Sequence, residues 1–226
     1  MTPQKKIVYR NIDGSITVVT PQLYELVILQ RGRPDYDPTD DIQLLVSGGL
    51  PPLWIQQIFE MPSVDIERER KKVESNGRDP ASIPAYLAYQ VARQQGGLTF
   101  EAALQAIIDK DIAWKTTEYA IFDADRVPNG NQHEMRLFRK ALNFNLEGCF
   151  FDVTKCKEIA HKFRREKREE EFKPYDDIIA KQIPGKDKDA AEAARAVIRQ
   201  KYDLMQSAID SSNSPEQIKA ALSVNA

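Results

Sequence analysis

Apolar and polar residues alternate from Lys6 to Arg10 and again from Ile16 to Thr20, the pattern of half-buried strands. Between the two runs, Asp13-Gly14 can supply the positive φ angles of a tight hairpin turn. Pro21 then ends the second run, because proline cannot donate a hydrogen bond to a sheet. These residues predict an antiparallel β-hairpin.

The next stretch, residues 25 to 96, is predicted to be a helical module. Leu23–Leu29 is so apolar that its period does not separate a buried strand from a helix, and residues 31–38 have the composition of a loop. Caps and stops indicate four short helices: one from Thr39 to Gly48-Gly49, one opened by Pro51-Pro52, one capped by Ser63 and closed by Asn76-Gly77, and one from Pro84 to Gln95. The second gathers five large apolar residues on one side: Leu53, Trp54, Ile55, Ile58 and Phe59.

The segment Gly97–Asp123 has the clearest start and stop signals in the chain. Thr99 is placed to cap a helix, and Glu101 lies in the first turn, where a negative charge suits the helix dipole. The helix is predicted to end near Asp109, and alternation returns at Tyr119–Asp123, which predicts a strand. We expect this strand to pair with the N-terminal hairpin, although about a hundred residues separate them.

Beyond Gly148 the pattern becomes that of longer helices, preceded by Met135–Leu142, a short helix or an irregular amphipathic segment. Three helices are predicted from their caps and breaks: one from Asp152 through Glu171 with a kink at Pro174, one from Asp187 to Asp210 after the break at Pro184-Gly185, and a short one opened by Ser214-Pro215. The predicted fold class is α+β: a small β-hairpin-plus-helix-plus-strand domain with a helical insertion, followed by a C-terminal helical hairpin. We place the domains at 1–148, with the insertion at about 25–96, and at 149–226.

A two-helix hairpin has little core of its own, yet its second helix carries an apolar stripe from Ala190 to Ile209. This stripe must pack on the N-terminal domain, on another copy of the chain or on a partner. Five of its residues therefore form a candidate partner-binding face: Val197, Ile198, Tyr202, Met205 and Ile209.

Composition excludes several classes of protein. Of 226 residues, 42% are hydrophobic, which suffices for a core, and 32 basic residues nearly balance 34 acidic ones. A net charge of −2 provides no global field to attract nucleic acid or an anionic membrane. There is no apolar run of the roughly 18–20 residues that span a bilayer, no N-terminal signal region, and no disulfide framework. We expect a soluble protein of cytoplasmic origin.

The sequence contains no recognisable catalytic motif, and we predict no enzyme, no cofactor and no metal. The rival hypothesis is a hydrolase acting on a phage or host polymer, with His133-Glu134 or the pair Asp123 and Asp125 in a cleft; a solvated loop is the simpler interpretation of His133-Glu134. One group of soft metal ligands exists, Cys149, Cys156 and His161. Its spacing matches no standard zinc pattern, and the cysteine at 156 suits ordinary packing.

Arg164–Arg168 and its neighbours form a basic run that raises a nucleic-acid hypothesis. Acidic residues adjoin the run, and Arg165 with Glu169, like Lys167 with Glu171, is spaced for a pair on one helix. A solvated helix face is therefore the favoured interpretation, and nucleic acid is not a predicted partner.

Four stretches of the chain carry a family resemblance: Lys6–Pro21, Ile108–Ile112 with Glu118–Pro128, Phe138–Leu142 with Phe151–Ile159, and Ser214–Lys219. In this order they resemble a group of small proteins encoded in phage and prophage tail regions, often close to tail-fibre genes. Those proteins have a tryptophan where this chain has Leu142, and a histidine one residue before the place of His161. Residues 25–96 have no counterpart in their compact members.

The resemblance implies a phage tail-associated structural protein, such as a minor tail, adaptor or fibre-attachment component. It would act through protein–protein contacts with other tail or fibre proteins, with a homo-oligomer as a further option. It would be located in the virion tail after assembly in the host cytoplasm. The alternative within the same group is a tail-fibre assembly chaperone that is absent from the virion. The resemblance supplies no catalytic residues.

Overall fold

The computed structural model describes residues 4–60, 63–128, 133–181 and 187–223, without the side chains of Pro52, His133, Glu134 and Lys181. The described chain is α+β, as predicted, with a three-stranded sheet, a two-stranded sheet and a C-terminal helical hairpin. Contacts divide it into two compact units: residues 1–127 with 144–148, and residues 128–143 with 149–226. The domain boundary at Gly148 stays a prediction, because a division by contacts does not test independent folding.

The first unit contains the three-stranded antiparallel sheet, which consists of β1 (Lys5–Arg10), β2 (Ile16–Val19) and β3 (Tyr119–Asp123) in the order β2-β1-β3. Ile7 of β1 lies opposite Val19 of β2 and Ile121 of β3. The predicted hairpin and its pairing with the distant strand are therefore both confirmed. Ion pairs hold both ends of the β1–β3 ladder, from Lys5 to Asp123 and from Arg10 to Glu118, each at 2.7 Å.

Six helices of the first unit lie between β2 and β3: α1 (Leu23–Gln30), α2 (Thr39–Ser47), α3 (Pro52–Phe59), α4 (Ile66–Ser75), α5 (Ile83–Gln95) and α6 (Phe100–Ile108). The ambiguous run Leu23–Leu29 is helical. Its period is obscured because α1 is covered on two sides: Leu26 and Leu29 pack with α5 and α6, whereas Val27 and Ile28 pack with Ile58 of α3.

Two helix ends differ from the sequence predictions. Asp65, and not Ser63, caps α4, since its carboxylate accepts a hydrogen bond from the Arg68 amide at 3.0 Å. The helix capped by Thr99 does not stop near Asp109 but continues as a π-helical turn, Asp109–Ala113. This extension buries Ile112 beside β1.

The second unit contains a 3₁₀ segment, His133–Ala141, and the first two residues of β4 (Leu142–Phe144). It also contains β5 (Cys149–Phe151), α7 (Val153–Lys181), α8 (Lys188–Ser211) and α9 (Pro215–Ser223). The short strands β4 and β5 were not predicted, because three residues are too few to display an alternating pattern. The predicted caps at Asp152 and Ser214 are confirmed by hydrogen bonds from amides of the first helical turn. Asp187 caps α8 in the same way. No helix in the described ranges is both long and apolar enough to cross a bilayer.

The second unit has a core of its own, contrary to the expectation for a bare helical hairpin. Helices α7 and α8 run antiparallel, and α9 packs against both. The 3₁₀ segment contributes Phe138, which is fully buried with Cys156 and Ile209. The terminal helix adds Ile218, also fully buried. These two additions supply the apolar surface that a two-helix hairpin lacks.

Candidate protein-docking surface

Helices α2 and α3 expose more large apolar side chains than any other short stretch of the described chain. Five such side chains are between 45% and 62% exposed: Leu44, Val46, Leu53, Trp54 and Phe59. Isolated exposed leucines are ordinary on a protein surface, whereas a concentration of them marks interaction sites. We call residues 39–60 the docking surface.

The docking surface contacts the rest of the first unit at a few points. Ile58 is the one described residue of α3 that is fully buried, against Val27 and Ile28 of α1. The ring of Trp54 lies 5.3 Å from that of Tyr24 at a tilt of 54°. In α2, the carboxylate of buried Asp41 accepts a hydrogen bond from the Tyr36 hydroxyl at 2.9 Å. An eight-residue helix is not stable alone, so the contacts of Ile58 and Trp54 hold α3 in place while Leu53 and Phe59 remain exposed to water.

A cavity of about 410 Å³ opens between the two helices. It is lined by uncharged residues: Leu44, Leu45, Gly48, Gly49, Leu50, Pro51 and Trp54. Apolar concavities of this size accept inserted side chains or small ligands. The lining has no titratable group, so the cavity is suited to binding and not to proton transfer.

Acidic residues lie near both ends of the docking surface in the sequence. Asp35, Asp37 and Asp40 precede or begin α2, and Glu60 follows α3. The Asp37 carboxylate accepts hydrogen bonds from the side chain and amide of Thr39, and these lower the pKa of Asp37. That carboxylate therefore remains ionised at neutral and mildly acidic pH.

The candidate face predicted on α8 is mostly inside the protein. Tyr202, Met205 and Ile209 are buried in the second unit's own core, so these three side chains are not available to a partner. The Tyr202 hydroxyl donates to Glu171 of α7 at 2.8 Å, and burial raises the pKa of this tyrosine. Ile198 packs partly on the core, and Val197 alone of the five is largely exposed, at 67%.

The soft-ligand group is not assembled into a metal site. Cys149 and Cys156 are buried, and burial raises the pKa of the Cys156 thiol to about 12, which disfavours the thiolate that metals require. The His161 ring nitrogen Nε2 lies 2.9 Å from the Asp210 carboxylate of α8. Within the described residues, no three histidine, cysteine or acidic side chains are grouped closely enough to hold a metal ion.

The residues of the hydrolase hypothesis are not seen in a common cleft. The side chains of His133 and Glu134 lie outside the described part of the chain. Asp123 is exposed and accepts a hydrogen bond from Lys5, which lowers the pKa of this carboxyl group. A carboxylate so stabilised is a weak general base. Asp125 is exposed in the 3₁₀ turn that follows β3.

The basic run on α7 is partly structural. Arg164 is buried, and its guanidinium donates to the Tyr202 carbonyl oxygen at 3.0 Å and to Gln206 at 2.6 Å. Lys167 and Glu171 attract each other along α7, as their spacing predicts, but each has a closer ion-pair partner. Lys167 binds Glu170 at 2.8 Å, and Glu171 is taken by Lys201 of α8 at 2.9 Å.

We expect Arg164→Met to lower the free energy of unfolding by about 1–3 kcal/mol, because two hydrogen bonds between α7 and α8 are lost in a buried position. Arg165→Met, at an exposed neighbour, should change it by less than about 0.5 kcal/mol. Urea unfolding followed by far-UV circular dichroism measures both values. Equal losses in the two variants would contradict the buried role of Arg164.

The exposed character of the docking surface was missed, although its apolar residues were noted as one side of a helix. The number of apolar residues is the signal that indicates this surface. Residues 53–59 contain five large apolar side chains, more than one face of a two-turn helix can bury. The candidate face was instead placed on α8, where the apolar stripe is longer and more regular. Regularity predicts a helix face and does not tell whether that face is covered within the chain.

Comparison with known proteins adds no family to this description. No family model, no curated protein and no solved structure matches the chain.

Proposed function

We propose that this protein is a structural component of a bacteriophage tail that acts through protein–protein contacts, with residues 39–60 as its main contact surface. The supporting observation is the exposed apolar surface of α2 and α3. The phage assignment is supported by the four motif stretches that resemble proteins of phage tail regions. The attachment of the surface through Ile58 and Trp54 suits a helix that is completed by a partner.

The magnitude of the exposed surface supports binding as its role. Fully burying a leucine or phenylalanine side chain is worth about 1.5–3 kcal/mol. Covering the exposed parts of Leu53, Trp54 and Phe59 would therefore contribute several kcal/mol before the costs of association. Truncation of such central aromatic and aliphatic anchors commonly removes most of the affinity of an interface.

Mass spectrometry of purified virions tests the proposed location. A fixed copy ratio relative to known tail proteins would identify a structural component. Absence from the particle, together with capture of a fibre protein from assembling tails, would identify the assembly chaperone instead. Absence from the particle and failure to capture any tail protein would refute the proposal.

Loss of the exposed apolar side chains should strongly reduce the capture of tail proteins without unfolding this protein. We expect Leu53→Ser with Phe59→Ser to reduce retention of tail proteins in a pull-down by at least about tenfold, because both side chains are exposed contact groups. The matched control is Ile12→Ser with Leu146→Ser, which removes two apolar side chains that are 100% and 98% exposed at hairpin turns. Equal retention by the two double variants would show that residues 39–60 are not the contact surface.

A further inference from the structure

We infer that the docking surface binds an amphipathic helix whose polar face is rich in lysine and arginine. This inference rests on the proposed function and specifies the chemistry of the partner. It is carried by the backbone of α2 and α3, by the cavity between them and by the charge of the surrounding sequence.

The backbone of the surface favours a helical partner over an extended one. Residues 39–47 and 52–59 are helical, and the described residues 34–60 contain no strand. A bound strand needs an unpaired strand edge to which its backbone can hydrogen-bond. Without such an edge, recognition must come from side chains, and an amphipathic helix supplies them in a row without unsatisfied backbone groups.

The cavity provides places for apolar anchors. Leu44 and Trp54 line it, and both also belong to the exposed apolar set of the docking surface. A partner helix with leucine-like residues at spacings of three and four could insert one side chain here and lay the next ones over Leu53. Gln43 and Gln56 are exposed on α2 and α3, where they offer neutral hydrogen-bonding groups at the rim.

Charge determines which amphipathic helix fits. From Pro34 to Glu67 the sequence contains seven acidic residues and no lysine, arginine or histidine. The rest of the chain holds all 32 basic residues and only 27 of the 34 acidic ones, so it carries a net charge of +5. Not all of these carboxylates charge the surface, because Asp35 pairs with Arg33, Glu67 lies near Arg70 and Lys71, and Asp41 is buried. The negative charge that a partner meets at the docking surface comes from three exposed carboxylates: Asp37, Asp40 and Glu60. The negative potential of the surface attracts a basic partner and repels an acidic one.

A second cavity, which is polar, adjoins α3 and contains basic residues. Arg68, Lys72 and Arg93 line a polar cavity that also includes Gln57 of α3. Asp65 and Glu69 accompany them there, so that cavity has three basic residues and two acidic ones. The apolar cavity between α2 and α3 contains no charged residue in its lining.

Two synthetic helical peptides of about 18 residues, roughly five turns, test the inference. Both carry the same leucine stripe, and all other positions are lysine in one peptide and glutamate in the other. Trp54 reports binding in a Trp114→Phe background, which removes the only other tryptophan. We expect the lysine peptide to shift Trp54 emission to shorter wavelength in a saturable way and to bind at least about tenfold more tightly than the glutamate peptide.

Two variants separate specific docking from general attraction. Leu53→Ser with Phe59→Ser keeps every charge and should lose binding of the lysine peptide by about tenfold or more. Gln43→Lys with Glu60→Lys keeps the apolar residues, exchanges residues of similar helix propensity within α2, and should reverse the preference toward the glutamate peptide.

Equal affinity for the two peptides, absence of binding, or unchanged binding by the Leu53/Phe59 variant would overturn the inference. So would a dimer in sedimentation velocity that Leu53→Ser dissociates, because a second copy would then be the occupant. The proposed function fails separately: it is refuted by absence from virions and from tail-protein complexes, whichever peptide binds.

Discussion

Replacement of Gly96 by alanine is expected to lower the free energy of unfolding of the first unit by more than about 3 kcal/mol. Gly96 follows α5 with φ +67° and ψ −154°, a backbone region that is open essentially to glycine only and costs other residues about 1–3 kcal/mol. An added Cβ would also lie 2.5 Å from the Arg31 carbonyl oxygen, so the backbone itself would have to move.

The surroundings of Gly96 resist such a movement. The Arg31 carbonyl accepts a hydrogen bond from the Gly97 amide at 2.8 Å. The Arg31 guanidinium donates to the carbonyl oxygens of Ile28, Arg93 and Gln94, which terminate α1 and α5. A shift at Gly96 therefore disturbs the ends of two helices. One of them, α1, is the helix on which Ile58 of the docking surface packs.

Gly97→Ala is the matched control, since Gly97 also has positive φ, +74°, but its added Cβ would meet nothing within 4 Å. We expect a loss of about 1–2 kcal/mol from backbone strain alone. Urea unfolding followed by tryptophan fluorescence measures the first unit selectively, because Trp54 and Trp114 both lie in it. Equal destabilisation by the two substitutions would contradict the contact with Arg31.

The second large effect is expected for Lys110→Met, which should lower the free energy of unfolding by about 3 kcal/mol. Lys110 lies in the π-helical turn, and its ammonium group is 2.6 Å from the carboxylate of Glu25 on α1. The two side chains are 12% and 18% exposed. Removing one partner of a largely buried ion pair leaves the other charge uncompensated, which costs about 3–5 kcal/mol when burial is complete.

A tyrosine completes this network. The hydroxyl of buried Tyr89 donates to the same Glu25 oxygen at 2.5 Å, and the Lys110 ammonium lies 4.2 Å from the Tyr89 ring centroid. Burial, together with the hydrogen bond to Glu25, raises the pKa of Tyr89. The tyrosine therefore stays protonated and keeps donating at neutral and mildly alkaline pH.

A double-mutant cycle separates the pair from its surroundings. Glu25→Gln with Lys110→Met should be more stable than the sum of the single losses predicts, by a coupling of about 1–3 kcal/mol. Tryptophan fluorescence in urea again provides the measurement. Additive losses would show that Glu25 and Lys110 do not act as a pair. A large coupling would identify the pair as the connection that fixes α1, and with it the docking surface, to the π-helical turn.

Local patterns predicted most elements of the fold, because strands, caps and helix breaks depend on neighbouring residues. The hairpin at Asp13-Gly14 and the cap at Thr99 are of this kind. The failures occurred where remote contacts intervene. The run Leu23–Leu29 showed no period since two clusters cover it, and the helix after Thr99 continued past Asp109 because Ile112 packs on β1.

The candidate site was harder to predict than the fold. The sequence displays two apolar helix faces, one in α3 and one in α8, and its longer, more regular stripe predicts the contact surface on α8. Which face is covered depends on residues far away in the chain. Phe138, before α8 in the sequence, and Ile218, after it, pack in one core with Ile209. Among the described residues, none covers Leu53 or Phe59 to a comparable extent.

The sequence alone therefore determined most of the element types, the antiparallel hairpin, the near balance of charge and the acidic composition of residues 34–67. These properties follow from composition, from short-range periodicity and from turn residues, all of which act within about one or two helical turns. The tertiary structure decided which apolar residues are buried. It placed Tyr202 in a core, left Trp54 half exposed, and brought Glu25 to Lys110 across 85 residues, because burial depends on which distant segments meet.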